Sequence, residues 1–160
     1  MYSHRSLENK DLATICSFPQ SEEELFYISP KFDYPLTSKQ IINLLKDRFE
    51  PTVILEKETK EVVGYANIYG NDSEKGICWL GNVIISPKYR GQGAAQYLLK
   101  IMLDKAKNNL GNKTIRLACH NTNSRGLAFY SKYGFKPFDI MITRVGEKQI
   151  LTIHMSKDLF

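Results

Sequence analysis

Two short stretches of this chain carry residue types at spacings that chemistry uses. The first is Ser86-Pro87-Lys88-Tyr89-Arg90-Gly91-Gln92-Gly93-Ala94-Ala95. Small residues at 91, 93, 94 and 95 let the backbone come close to a bound group. A helical stripe follows at Ala95, Leu98, Leu99, Met102 and Ala106, so this turn opens a helix. The first turn of a helix presents unpaired N–H groups and the positive end of the dipole, which suits an anion such as a pyrophosphate. Lys88 and Arg90 add charge at the rim. No Gly-Lys-Ser/Thr follows, so this is not a P-loop, and the third glycine of the dinucleotide fingerprint is missing. On this stretch alone, glycine that merely permits a tight strand-to-helix turn explains the pattern equally well.

The second stretch is Asn123-Ser124-Arg125-Gly126-Leu127-Ala128-Phe129-Tyr130-Ser131-Lys132-Tyr133-Gly134-Phe135. Asn123 is a good helix cap. Gly126 inside a helix costs about 1 kcal/mol against alanine, so it needs a reason, such as close approach of a ligand or another helix. Tyr130 lies two helical turns after Asn123 and shares its face. Taken singly, Tyr130 reads as an ordinary half-buried aromatic.

These stretches need elements to hold them. Leu12–Cys16 and Glu22–Ile28 read as short helices, and Thr37–Phe49 as a longer one that Ser38 can cap. The first fifty residues are otherwise loop-like. Strands are expected at Thr52–Glu56, Val62–Tyr69 and Ile77–Ile85, then a helix over Gln92–Lys107 and a strand over Lys113–Cys119. A helix over Ser124–Lys132 and a hairpin of Phe135–Thr143 with Gln149–Met155 complete the chain. The strand–helix–strand unit around 77 to 119 implies a right-handed crossover and a locally parallel pair.

The chain has 160 residues, 42% hydrophobic and 24% charged, which fits one globular domain with a real core. Cys16, Cys78 and Cys119 are odd in number and far apart, so neither a disulfide framework nor a metal site is expected. No apolar run reaches membrane-spanning length, and the polar stretch from Met1 to Lys10 lacks the pattern of a signal peptide, so a cytoplasmic protein without membrane partners is expected. The net charge of +5 suits an anionic partner, but the basic residues are scattered, with no recognition helix for nucleic acid.

Together the two stretches resemble the GNAT superfamily of N-acetyltransferases. The family's turn, Arg/Gln-x-x-Gly-x-Gly/Ala, is met by Arg90 to Ala95. Its second motif, Asn-x-x-Ala/Gly-x-x-x-Tyr-x-x-x-Gly-Phe, is met by Asn123, Gly126, Tyr130, Gly134 and Phe135. The resemblance covers residues 52 to 156. It implies an α/β (α+β) fold: a mixed, mostly antiparallel sheet of six to seven strands, about four flanking helices and a locally parallel pair at the cofactor site. Residues 1–50 would form the acceptor side of one domain spanning 1–160.

The resemblance also implies roles. The backbone of Val83, Ile84 and Ile85 would pair with the pantetheine arm of acetyl-CoA. Gly91, Gln92, Gly93, Ala94 and Ala95, with Lys88 and Arg90, would hold its pyrophosphate. Asn123, Gly126 and Phe129 would flank the arm. Tyr130 would stand beside the sulfur as general acid, and a backbone N–H of the 83–85 strand would stabilise the oxyanion.

One departure stands out. Many members carry a glutamate on the strand before the turn, whereas Cys78-Trp79-Leu80-Gly81-Asn82-Val83 holds no carboxylate. The base therefore stays open: Asn82 to position a water, or His120, for which a structural role is the alternative. Trp79 is expected to line the acceptor pocket. Glu23, Glu24 and Asp33, among Glu22, Phe26, Tyr27, Phe32 and Tyr34, are candidate contacts to a cationic amine, a solvated helix face being the alternative. The expected acceptor is a small-molecule or peptide amine. Other readings are an N-terminal acetyltransferase of proteins and a non-catalytic acetyl-CoA sensor. Both a monomer and a homodimer are compatible with the sequence.

Overall fold

Three consecutive apolar strands, a strand–helix–strand unit and a closing hairpin build a seven-stranded sheet whose centre is covered by helices on both faces. The computed structural model describes residues 1–160. The strands are β1 Tyr2–Ser6, β2 Phe49–Glu56, β3 Val62–Asp72, β4 Ile77–Ile85, β5 Thr114–His120, β6 Lys136–Val145 and β7 Lys148–Asp158. The α-helices are α1 Leu12–Cys16, α2 Glu22–Ile28, α3 Ser38–Leu45, α4 Ala94–Asp104 and α5 Ser124–Lys132. The sheet order is β1-β2-β3-β4-β5-β7-β6. β4 and β5 are parallel and every other neighbouring pair is antiparallel, which is the mixed sheet expected.

Several boundaries differ from expectation. β1 is a strand where loop and helix were expected. It pairs with β2 from Tyr2↔Glu56 to Ser6↔Thr52, and as an edge strand it buries only Tyr2, so the sequence shows no apolar alternation. α3 stops at Leu45 rather than Phe49, and its cap is Thr37, whose side chain accepts from the Gln40 N–H, not Ser38. α4 begins at Ala94 rather than Gln92, because Gly93 at φ +81° cannot be helical. Its far end widens into a π-helical turn, Lys105–Asn109.

Two apolar clusters lie on opposite faces. α4 packs Leu98, Leu99 and Met102 against Ile54, Ile68, Leu80 and Ile115. Leu12, Ile15, Leu25 and Ile41 of α1–α3 pack against Val53, Leu55, Tyr65 and Ile84. Leu80 and Ile84 are four apart on β4, so regular pleating would put them on one face. They sit on opposite faces because β4 is bulged. Asn82 is left-handed at φ +53°, and the register with β3 slips between Tyr65↔Ile84 and Asn67↔Gly81.

Candidate functional site

The parallel pairing of β4 with β5 is short. It runs Ile77↔Thr114, Cys78↔Ile115 and Trp79↔Arg116, and then stops. β4 continues to Ile85 and β5 to His120, so beyond Trp79 the two strands part and each keeps one unpaired edge. The Ser86 N–H donates to the Val63 carbonyl at 2.8 Å. Strand alternation therefore aims the N–H groups of Val83 and Ile85 away from β3, into the gap. A cavity of about 260 Å³ fills the gap, and its wall includes Asn82, Val83, Ala95, Asn123, Gly126, Phe129 and Tyr130. Residues expected from both motifs thus meet around one space.

At the mouth of that space lies the glycine turn. Gly91 and Gly93 have φ of +76° and +81°, and a side chain on either would meet nothing within 4 Å. The backbone N–H groups from Gly91 to Gln96 donate to no protein acceptor, which leaves six consecutive free donors. The Tyr2 hydroxyl of β1 donates to the Gln92 carbonyl at 3.0 Å and anchors the turn. Such a row of amides at a helix start fits a pyrophosphate. The rim cations are engaged with carboxylates: Lys88 Nζ lies 3.2 Å from Glu61 and Arg90 Nη2 2.6 Å from Glu24. Glu24 thus ties α2 to the turn and does not line any of the main cavities.

On α5, the Asn123 side chain accepts from the Gly126 N–H at 3.0 Å and caps the helix. A Cβ on Gly126 would stand 2.6 Å from the Asn123 amide nitrogen. Gly126 is therefore explained by the cap folded over it. Tyr130 packs edge-on to Phe129 and Phe135, at 5.3 and 5.7 Å between ring centroids. Its hydroxyl makes no hydrogen bond within the chain. Burial, with a smaller contribution from Cys119, raises the phenol well above its ordinary range. Burial also pushes the Cys119 thiol up to about 11.

A second cavity of about 280 Å³ shares Tyr27, Ile28, Leu80, Asn82 and Ala118 with the first. Its wall also holds Lys31, Arg48, Tyr69, His120 and His154. Asn82 stands at the junction, with its amide tied on both sides. Its Oδ1 accepts from Asn67 Nδ2 at 2.9 Å, and its Nδ2 donates to the Ile28 carbonyl at 3.3 Å. His120 stacks on Phe26 at 4.5 Å, and its buried Nδ1 has no hydrogen-bond partner. Burial lowers its pKa, an effect that the Phe26 backbone only partly offsets.

The remaining expected contacts lie elsewhere. Glu23, with Glu22, lines an outer cleft of about 630 Å³ that shares Tyr27 and His120 with the second cavity. Asp33 is exposed, and its backbone N–H donates to Gln40. Trp79 packs against His154, Tyr69 and Phe138, one layer outside the cavity wall. Arg48, Tyr69, Lys31 and Asn67 were not singled out from the sequence. Two signals were present there: a polar Asn67 inside an apolar strand run, and Gly81 inside a strand, which marks a close approach.

The geometry has counterparts among known proteins. The structure superposes on spermidine N-acetyltransferase from Vibrio cholerae in complex with CoA and spermine, at TM-score 0.81 and 18% identity, covering 99% of this chain and 95% of that one. It also superposes on the ribosomal-protein-S18-alanine N-acetyltransferase from Escherichia coli, at TM-score 0.72 and 19% identity, covering 99% and 94%. At these identities the likeness shows the fold alone. A spermine/spermidine N(1)-acetyltransferase of Bacillus subtilis (strain 168) is 26% identical over 81 residues, covering 48% of this chain and 53% of that protein. The match thus spans about half the length of that curated relative. Residues 12–135 match the acetyltransferase (GNAT) family profile, and the chain belongs to that family.

Proposed function

We propose that this chain moves the acetyl group of acetyl-CoA onto a primary amine of a small molecule by direct attack. One observation carries the reading: the parting of β4 from β5 gathers a free strand edge, six free amides and the Tyr130 hydroxyl around one cleft. Acetyl-CoA supplies a thioester whose carbonyl carbon is open to a neutral amine. The amides from Gly91 to Gln96 suit its pyrophosphate, with Lys88 and Arg90 at the rim. The edge of Val83 to Ile85 suits its amide-bearing arm, flanked by Asn123, Gly126 and Phe129.

The chain's own groups supply the proton transfers. An acceptor arrives as an ammonium ion, and His120, held neutral by burial, accepts its proton. The neutral amine adds to the thioester carbonyl carbon to form a tetrahedral oxyanion, and the C–S bond breaks as that intermediate collapses. The N–H of Val83 or Ile85 steadies the oxyanion. The leaving thiolate takes the Tyr130 proton, which the raised phenol pKa retains until then, and the resulting phenolate takes the second proton from the acylated nitrogen, so that thiol and amide both leave neutral. Asn82 holds the bulge that sets these amides and acts as a positioning residue. The cavity of about 280 Å³ lies at the small end of ligand pockets and favours a small amine over an extended peptide.

The test is a balance of products. Purified protein with acetyl-CoA and a panel of amines should release thiol and N-acetylated amine in equal amounts, and only when the amine is present. Thiol release that ignores the amine, or no release with any amine, would defeat the reading.

A further inference from the structure

The acceptor cavity holds a cation that no protein group neutralises. Arg48 forms no ion pair: the one hydrogen bond of its side chain runs from Nη1 to Asn67 Oδ1 at 3.1 Å, and its buried Nε has no acceptor. Burial lowers its pKa, which marks the cost of the charge there. Asp47 precedes it in sequence but lies beyond ion-pair distance.

The guanidinium is also held firmly in place. It lies 4.3 Å from the centre of the Tyr69 ring. A Cβ on Gly81 would collide with Nη1, and would stand 2.7 Å from Asn67 Oδ1 and 2.8 Å from the Tyr69 ring. Glycine at 81 therefore makes room for the arginine against the β4 backbone. Asn67, which accepts from Arg48, also donates to Asn82 and to the Tyr65 hydroxyl. A continuous buried polar chain thus links Arg48 to the bulge beside the acetyl-CoA cleft. A half-buried charge without a counter-ion is costly, and a bound anion would offset that cost.

The rest of the wall offers Arg48 no counter-charge. Lys31, His120 and His154 line the cavity with Arg48, and no aspartate or glutamate does. Asp139, the nearest carboxylate to His154, sits across the β6–β7 ladder and outside the wall. A polyamine entering this space would meet the cations of Arg48 and Lys31 with no carboxylate on the wall to offset them. A molecule with an amine and an oxyanion would meet a fixed planar fork, the geometry that guanidinium offers to carboxylate.

We propose that the acceptor is a small amine that carries its own carboxylate or equivalent oxyanion, an amino acid or a close analogue, held through Arg48. This rests on the acetyl-transfer reading above and narrows it.

The experiment pairs each standard amino acid with its carboxamide and its decarboxylated amine, and adds spermidine. Thiol release gives kcat and KM. The shift of the thermal midpoint gives binding without turnover. At least one amino acid should exceed its carboxamide by about tenfold or more in kcat/KM, the size expected when a charged hydrogen bond is lost. Arg48→Gln should raise KM for that amino acid by a similar factor, leave kcat nearly unchanged, and bring acid and carboxamide close together. Arg48→Lys should recover part of the difference. Spermidine or a carboxamide used as well as every amino acid would overturn the proposal. Should no amine release thiol, the transfer reading fails on its own. The anion site then stands only if an amino acid, and not its carboxamide, raises the midpoint of the wild-type protein, and it falls if neither does. The wild-type comparison of matched ligands decides the matter even where Arg48→Gln does not fold.

Discussion

A phenol serves as an acid when it keeps its proton until a leaving group needs it, and Tyr130 is set for that. Its ring is packed among Phe129 and Phe135, and its hydroxyl faces no competing acceptor in the chain. Burial raises its pKa, so it stays protonated across the working range. Tyr130→Phe should therefore lower kcat by about 100-fold or more with little change in the Kd of acetyl-CoA. His120→Ala should lower kcat/KM and remove the decline in kcat/KM expected of the wild type as His120 protonates, below its ordinary value of about 6.5. Stopped-flow binding and steady-state rates across pH check both, and unchanged turnover in either variant removes that residue from the mechanism. Arg90 to Ala95 and Asn123 to Phe135 were legible in the sequence because each group sits on one local segment with fixed spacing. Arg48, Tyr69 and Gly81 were not, because their contact joins three segments that only the sheet brings together. The partners of the acidic residues of α2 and its following loop were hidden for the same reason. Nothing in their order shows that Glu24 turns to Arg90 while Asp33 stays in solvent.

At the scale of elements, α5 depends on a trade between its cap and its glycine. Asn123 earns its place by closing on the Gly126 N–H, and Gly126 is tolerated because a side chain there would strike the Asn123 amide. Losing the cap alone should cost about 1 kcal/mol, while alanine is favoured over glycine inside a helix by about 1 kcal/mol. Asn123→Ala should thus lower the thermal midpoint, and adding Gly126→Ala should restore it, whereas Gly126→Ala alone should not raise it. Thermal melts of the four proteins give the coupling directly. Full additivity would show that the cap and the glycine are independent. Element types were readable wherever periodicity was strong, as in α4 and β4. β1 escaped because an edge strand with one buried side chain needs no alternation. The early start expected for α4 overlooked the left-handed Gly93, and its π turn leaves no mark in composition. That turn begins at Lys105, whose Nζ donates to Thr52 Oγ1 at 2.8 Å, a tertiary bond that sequence spacing does not reveal.

For the whole molecule, buried titratable groups tie stability to pH in one direction. His120 and His154 both have lowered pKa values, burial being the leading cause in each. The folded chain then binds fewer protons than the unfolded chain between those lowered values and about 6.5, so stability rises with pH in that window. Asp11 acts further down. Burial pushes its carboxyl up, but hydrogen bonds from Arg5 at 2.7 and 2.9 Å and from the Glu8 N–H outweigh that and leave the pKa lowered. Its contribution is present above the ordinary carboxylate value of about 3.9 and is lost as pH falls through the folded value. The midpoint of thermal unfolding should therefore decline in two stages on acidification, the first starting near pH 6.5 and the second below pH 4. His120→Gln should start from a lower midpoint, having lost its stacking on Phe26, yet show a shallower first stage. Arg5→Gln should weaken only the second, since Asp11 loses its main partner there. A first stage as steep in His120→Gln as in the wild type would mean that His120 is not its source.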